Sequence, residues 1–379
     1  MRVTWDIFCR VIDNFGDIGV TWRLAQQLHQ EHQCAVRLWV DDLSSFHAIC
    51  PAVDVSAERQ CVTGIEVYRW CDQTVAQRAQ ESADVVIEAF ACQLPEDYIA
   101  LMRKKQKVLW LNLEYLTAEA WAAQCHALPS MQGAGLQKYF FFPGFTDTTG
   151  GLLREADLLA RRDAFLASAE QRRAFLAGFG VQPLAHERLI SLFAYANAAL
   201  PSFLTALSQD TSANRLLVLP GVMQEAVARW FATDTLQIGC EYQRGNLTVH
   251  VLPYIPQAQF DTLLWCCDVN CVRGEDSFVR AQWAAKPFLW HIYPQHDDAH
   301  LVKLEAFLAL YRHALADDAQ QALNGVWQAW NQGGDISRAW PAFMAHEQTL
   351  QSHASCWSAQ QNKHADLATN LVHFYHDWL

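Results

Sequence analysis

The chain has 379 residues, 51% of them hydrophobic and 18% charged, which excludes a disordered chain and exceeds what one ordinary core holds. Its net charge of −12 argues against nucleic acid as a partner, since phosphate binding needs a basic face, and suits a basic or cationic partner instead. No apolar run approaches the length of a membrane span, and the N-terminus lacks the charged-then-apolar pattern of a signal peptide, so no membrane role is expected.

Twelve cysteines are scattered beside apolar residues, among them Cys9, Cys71, Cys92, Cys266, Cys267 and Cys271. None forms a CxxC pair, which leaves zinc-ribbon and thioredoxin-like chemistry without support. In a chain with a full core they are expected as reduced thiols, which suggests a cytoplasmic protein. The fifteen tryptophans are expected to fill cores and domain seams.

In chain order, 5–12 reads as a strand, 20–30 as a helix and 34–40 as a second strand ending at Asp41 and Asp42. Further strands are expected at 83–89 and 107–111. Each is a near-continuous apolar run, as expected of parallel strands covered on both faces. A polar, glycine-bearing break at 145–155 precedes an alanine-rich, charged stretch that reads as a helical connector. Strands then follow at 189–194, 216–220, 247–252, 269–272 and 287–292, with helices at 201–208 and 222–231. The last stretch, 348–379, reads as an amphipathic helix of the kind that returns to a first lobe. Strand–helix alternation gives an α/β protein of two Rossmann-like lobes facing across a cleft. The expected division is 1–155 plus 350–379 for the first lobe, 156–186 for the connector and 187–349 for the second.

Two strand-end loops carry the chemistry. The first, Asp13-Asn14-Phe15-Gly16-Asp17-Ile18-Gly19, holds two carboxylates and two glycines that permit tight turning and close approach. It has no GxGxxG, so a redox dinucleotide is not favoured. Capping of the next helix would explain one carboxylate; a pair repels unless a cation or proton lies between them. The second loop, Arg273-Gly274-Glu275-Asp276-Ser277, opens a helix. Helix-start amides, the Ser277 hydroxyl and Arg273 suit a phosphate, whereas Glu275 suits a ribose. Phe193, Tyr195, Tyr254, Phe260 and Tyr293 recur near the strand ends, where a planar base could stack. His296 and His300 have metal-binding helical spacing, but no third ligand is evident, and a solvated loop is the better reading. Without a GxSxG elbow, a serine hydrolase is disfavoured.

The stretches at 6–28, 112–121, 137–155 and 272–295 resemble the bacterial protein-arginine rhamnosyltransferase family, EarP. DNFGDIG and RGEDSFVRAQ are the most specific strings, and the resemblance spans nearly the whole chain. It implies a GT-B glycosyltransferase that moves L-rhamnose from dTDP-β-L-rhamnose to an arginine of translation elongation factor P. Inversion would give α-rhamnosyl-arginine and dTDP, with no cofactor or metal. By resemblance, Asp17 is the general base, and Asp13 and Glu114 join it in holding the acceptor. Asn14, Phe15 and Gly16 approach the donor, Phe193 and Phe260 sandwich its thymine, and Tyr254 and Gln257 meet the thymine's polar edge. Glu275 holds the ribose, counted with the catalytic set, while Arg273, Asp276, Ser277 and Tyr293 surround the diphosphate and Tyr195 lies beside them. The alternatives are another GT-B sugar-nucleotide enzyme, such as an epimerase or a small-molecule glycosyltransferase, and a non-catalytic protein that docks on a translation factor.

Overall fold

The apolar runs form mainly parallel strands whose residues are largely buried on both faces. The structure, a computed structural model, describes residues 2–379 except 14, 73, 74 and 134, and only the backbone of His296. The chain divides into two units, Met1–Ala156 with Lys363–Leu379, and Asp157–Asn362.

The first unit contains β1 (Thr4–Cys9), β2 (Ala35–Val40), β3 (Arg59–Val62), β4 (Ile65–Arg69), β5 (Val85–Ala89), β6 (Leu109–Leu113), β7 (Pro129–Met131) and β8 (Gln137–Phe141). They form one sheet in the order β3-β4-β2-β1-β5-β6-β8-β7. Only the edge strands β3 and β7 run antiparallel to their neighbours. Without those two, the parallel strands follow the doubly wound order, which reverses between β1 and β5. The second unit contains β9 (Arg188–Leu192), β10 (Asn214–Val218), β11 (Glu241–Arg244), β12 (Leu247–Val251), β13 (Val269–Arg273) and β14 (Phe288–His291). Their order is β11-β12-β10-β9-β13-β14, and the reversal falls between β9 and β13. In such sheets ligands bind beyond the carboxyl ends of the strands at the reversal point. Those ends include the loops after β1 and β5 in the first unit and after β9 and β13 in the second.

One face of the first sheet buries Trp5, Leu38, Ile87 and Leu111 against helix Gly16–Gln30 and the last helix, Leu367–Trp378. The other buries Phe8, Trp39, Tyr68 and Trp110. Phe8 stacks on Trp39 at 5.5 Å and Trp39 on Tyr68 at 4.3 Å. In the second unit Phe278, Phe288, Phe307 and Trp327 form a comparable aromatic core.

The unit limits differ from those expected. The connector helices Leu158–Leu166 and Ala169–Ala177 belong to the second unit. There Arg162 donates to the Trp283 carbonyl at 2.8 Å and Arg172 to that of Cys266 at 2.7 Å. The expected return at 350 falls inside helix Glu347–Gln361, whose Trp357 indole donates to Gln282 at 2.8 Å, also in the second unit. Only Leu367–Trp378 rejoins the first. Amphipathic periodicity shows that a helix has a buried face, not which core it faces. No described helix is long and apolar enough to cross a membrane.

Candidate active site

In the first unit β1 ends at Cys9, and helix Gly16–Gln30 starts after a short loop. Asp17, in the first turn, is 1% exposed, yet it does not cap its own helix. Its carboxylate turns back to the loop. Oδ2 accepts from the Ile12 amide at 2.8 Å and the Asp13 amide at 2.9 Å. Oδ1 accepts from the Tyr115 hydroxyl at 3.1 Å. A buried charge needs such hydrogen bonds to offset its lost hydration.

Asp13 is half-buried, and its carboxylate lies against Gly16, where an added Cβ would meet Oδ2 at 2.6 Å. A side chain at 16 would therefore push the Asp13 carboxylate aside. Phe15 occupies the helix N-cap position without a side-chain cap, and Asn14 lies outside the described residues. Glu114, just past β6, accepts a hydrogen bond from the Asn112 amide group. The loop thus presents acidic groups on a rigid base, an arrangement suited to a cation.

In the second unit, β13 leads through Gly274 into helix Asp276–Trp283. Gly274 has φ +57°, a left-handed turn open to glycine, and its carbonyl accepts from the Trp290 indole at 2.7 Å. The Ser277 hydroxyl accepts from the Arg273 amide at 3.0 Å and donates to the Arg273 carbonyl. It fastens the loop rather than capping the helix. The Arg273 guanidinium lies over Phe193 at 4.4 Å and over Tyr195 at 4.7 Å. Asp276 accepts from Gln257 at 2.8 Å, which brings together two residues expected at opposite ends of a nucleotide. Glu275 is half-buried at the helix N-cap, and Tyr254 and Tyr293 are exposed.

Phe193 and Phe260 meet at 5.9 Å with planes 66° apart. That is an edge contact, so a base lying between parallel rings requires one ring to turn. Tyr195 touches Tyr293 at 5.4 Å and His291 at 5.5 Å.

The sequence reading missed several supports of these loops. Tyr115 follows Glu114 in the NLEYL string. Arg280 forms a two-pronged, buried ion pair with Asp261, both bonds at 2.7 Å, tying the helix of Gln257 and Phe260 to that of Asp276 and Ser277. The two residues are 19 apart on separate helices, a spacing that carries no local signal. His291, at the end of β14, is 4% exposed, and burial lowers its pKa to about 4, with the neighbouring Arg273 and His300 acting in the same direction. His300 accepts from the Gln295 amide at 3.2 Å. Among the described residues no group of three or more His, Cys, Asp or Glu side chains is placed to hold a metal.

Residues 5–376 match the family described as elongation factor P (EF-P) rhamnosyltransferase EarP. The chain is 56% identical to a protein-arginine rhamnosyltransferase of Pseudomonas putida over 380 residues, with 100% of each covered. A solved structure described as the structural basis for EarP-mediated arginine glycosylation of translation elongation factor EF-P is 44% identical, with a TM-score of 0.74 and 100% of each chain covered. Acinetobacter baumannii MurG, 14% identical with a TM-score of 0.51 over 100% of each chain, shares the fold.

Proposed function

The chain belongs to the EarP family of EF-P rhamnosyltransferases, with the GT-B fold, and from that premise we propose that it transfers L-rhamnose from dTDP-β-L-rhamnose to an arginine of EF-P. The observation that carries this reading is the family match over 5–376, within which both loops lie. Its chemistry follows from their residues. A guanidinium is a poor nucleophile, because its lone pairs are delocalised and its pKa exceeds about 12. Asp13, Asp17 and Glu114 supply carboxylates that hold its planar fork by charge-assisted bonds. Asp17 takes a proton from one nitrogen as that nitrogen attacks C1 of the sugar. The C1–oxygen bond to the diphosphate breaks, and the electron pair leaves with dTDP. This single displacement inverts C1 and gives α-rhamnosyl-arginine.

In the second unit Glu275 accepts from the ribose. Arg273, Asp276, Ser277 and Tyr293 surround the diphosphate at a helix N-terminus, which favours the charge that develops there. Phe193 and Phe260 flank the thymine, with Tyr254 and Gln257 at its polar edge and Tyr195 beside Arg273 and Tyr293. The reaction as written needs no metal, and we place it in the cytoplasm, where its acceptor works.

The test is intact-protein mass spectrometry of EF-P incubated with this protein and dTDP-rhamnose. Gain of one deoxyhexose on an arginine is the expected result. An unmodified EF-P, with donor bound, would overturn the acceptor assignment.

A further inference from the structure

Tyr115 is the third ligand of the Asp17 carboxylate, through a 3.1 Å hydrogen bond to Oδ1. A carboxylate offers about four lone-pair directions. The amides of Ile12 and Asp13 take two on Oδ2, and Tyr115 takes one on Oδ1. Which direction remains for an incoming N–H therefore depends on where the phenol sits.

The phenol ring is itself held. Phe90 stacks on it at 4.4 Å with planes 13° apart. Phe90 is the residue after β5, beside the point where the strand order reverses. It has φ +56°, followed by Ala91 at +54° and Gln93 at +57°. A bulky residue in the left-handed region is a rare and costly conformation. Buried groups hold it there. The Phe90 amide donates to the Leu113 carbonyl at 2.7 Å. The Ala91 amide donates to Asn112 at 3.1 Å and the Gln93 amide to Glu88 at 2.7 Å. Asn112 and Glu88 are each 2% exposed, and Lys138 donates to the second oxygen of Glu88 at 3.1 Å. Four segments of the first unit thus converge on the plane of one tyrosine.

We propose that Tyr115, clamped by the left-handed Phe90–Gln93 turn, is a positioning residue that fixes the Asp17 carboxylate so that one Oδ1 direction meets the acceptor. This rests on the proposed rhamnosyl transfer. Tyr115 takes no proton in the reaction; it acts through Asp17. Removing its hydroxyl leaves Oδ1 free to turn or to bind water, so the base is present but misaligned.

The experiment compares the full chain with Tyr115→Phe, Phe90→Leu, Asp17→Asn and the double variant Asp17→Asn/Tyr115→Phe, using EF-P and dTDP-rhamnose. Tyr115→Phe is expected to lower kcat by about tenfold to a hundredfold, the worth of a hydrogen bond to a charged group. KM for both substrates and the melting temperature should stay near those of the parent. Phe90→Leu keeps the hydroxyl and should lower kcat by less. The double variant should be no slower than Asp17→Asn alone, because the two act as a unit.

A parent-like kcat in Tyr115→Phe, or losses that multiply in the double variant, would overturn the proposal. The carboxyl carbon resonance of Asp17, identified by its loss in Asp17→Asn, gives a readout independent of transfer. It should move in Tyr115→Phe while the melting temperature holds. If the parent transfers no rhamnose, the functional reading fails, and an unmoved resonance would separately overturn the positioning role.

Discussion

The loops after β1 and β13 are built alike and differ in charge. Each follows the strand at a reversal point, opens a helix without a side-chain cap, and uses one first-turn side chain to tie the loop backbone. In the first that side chain is Asp17, which accepts from two amides. In the second it is Ser277, which accepts from one amide and donates to one carbonyl. Substituting a carboxylate for a hydroxyl at equivalent places turns a neutral brace into a charged one. The Asp13 amide donates to Asp17 and its own carboxylate shares the loop; Ser277 fastens the backbone of Arg273, whose guanidinium is spread over two aromatic faces. Two doubly wound sheets thus carry acidic side chains at one loop and an arginine at the other.

The sharpest way to break this contrast is Asp17→Asn, which keeps an acceptor and removes the charge. Transfer to EF-P should fall by about 10²–10⁴-fold, the range for a general base, while calorimetry shows donor affinity unchanged. A weakened donor affinity would mean that the two loops are not divided by charge as argued.

Next in size is the frame beneath the second loop. Asp261→Asn leaves the buried Arg280 guanidinium without its ion-pair charge, and should cost about 3–5 kcal/mol in denaturant unfolding. Gln257 and Phe260 share a helix with Asp261, so donor binding should weaken with it.

Acid tests the same unit. Burial lowers the His291 pKa from 6.5 to about 4, so between these values the unfolded chain binds the extra proton. Stability is complete above about pH 6.5 and falls as pH drops toward 4, by up to roughly 3 kcal/mol for this group. Burial moves His353, in the same unit, and His126, in the first, in the same direction. His291→Asn should flatten part of the acid slope in unfolding measured across that window.

The smallest effect is expected from Arg273→Gln. Loss of the guanidinium should raise the donor dissociation constant by about tenfold in calorimetry, with the EF-P affinity unaltered.

Much of this frame is legible in the sequence because parallel strands announce themselves as apolar runs. The segments 34–40 and 269–272 emerged within a residue as Ala35–Val40 and Val269–Arg273. The β3–β4 hairpin was not read. Its turn, Thr63-Gly64, has φ +49° and +87°, the left-handed pair that hairpins favour, but threonine gives a weaker signal there than asparagine or aspartate. The acidic and arginine-bearing loops were visible from charge and glycine spacing. Their supports were not. Glu88 and Phe90 lie in and just after β5, Tyr115 follows β6, and no local pattern states that a left-handed turn after β5 presses one ring onto another. Nor does any local pattern say that Asp17 faces backward into its loop, since a first-turn aspartate looks the same whichever amides it serves.

The helix Leu367–Trp378 places Leu367, Leu371 and Tyr375 in the same core as Trp5 and Phe141. Synthesis proceeds from the N-terminus, so the acidic loop and the helix Gly16–Gln30 emerge early, whereas the second helix on that face, Leu367–Trp378, is translated far later. Until then part of the apolar face stays uncovered. The acidic loop is therefore encoded early, while the core beneath it is closed from the far end of the chain.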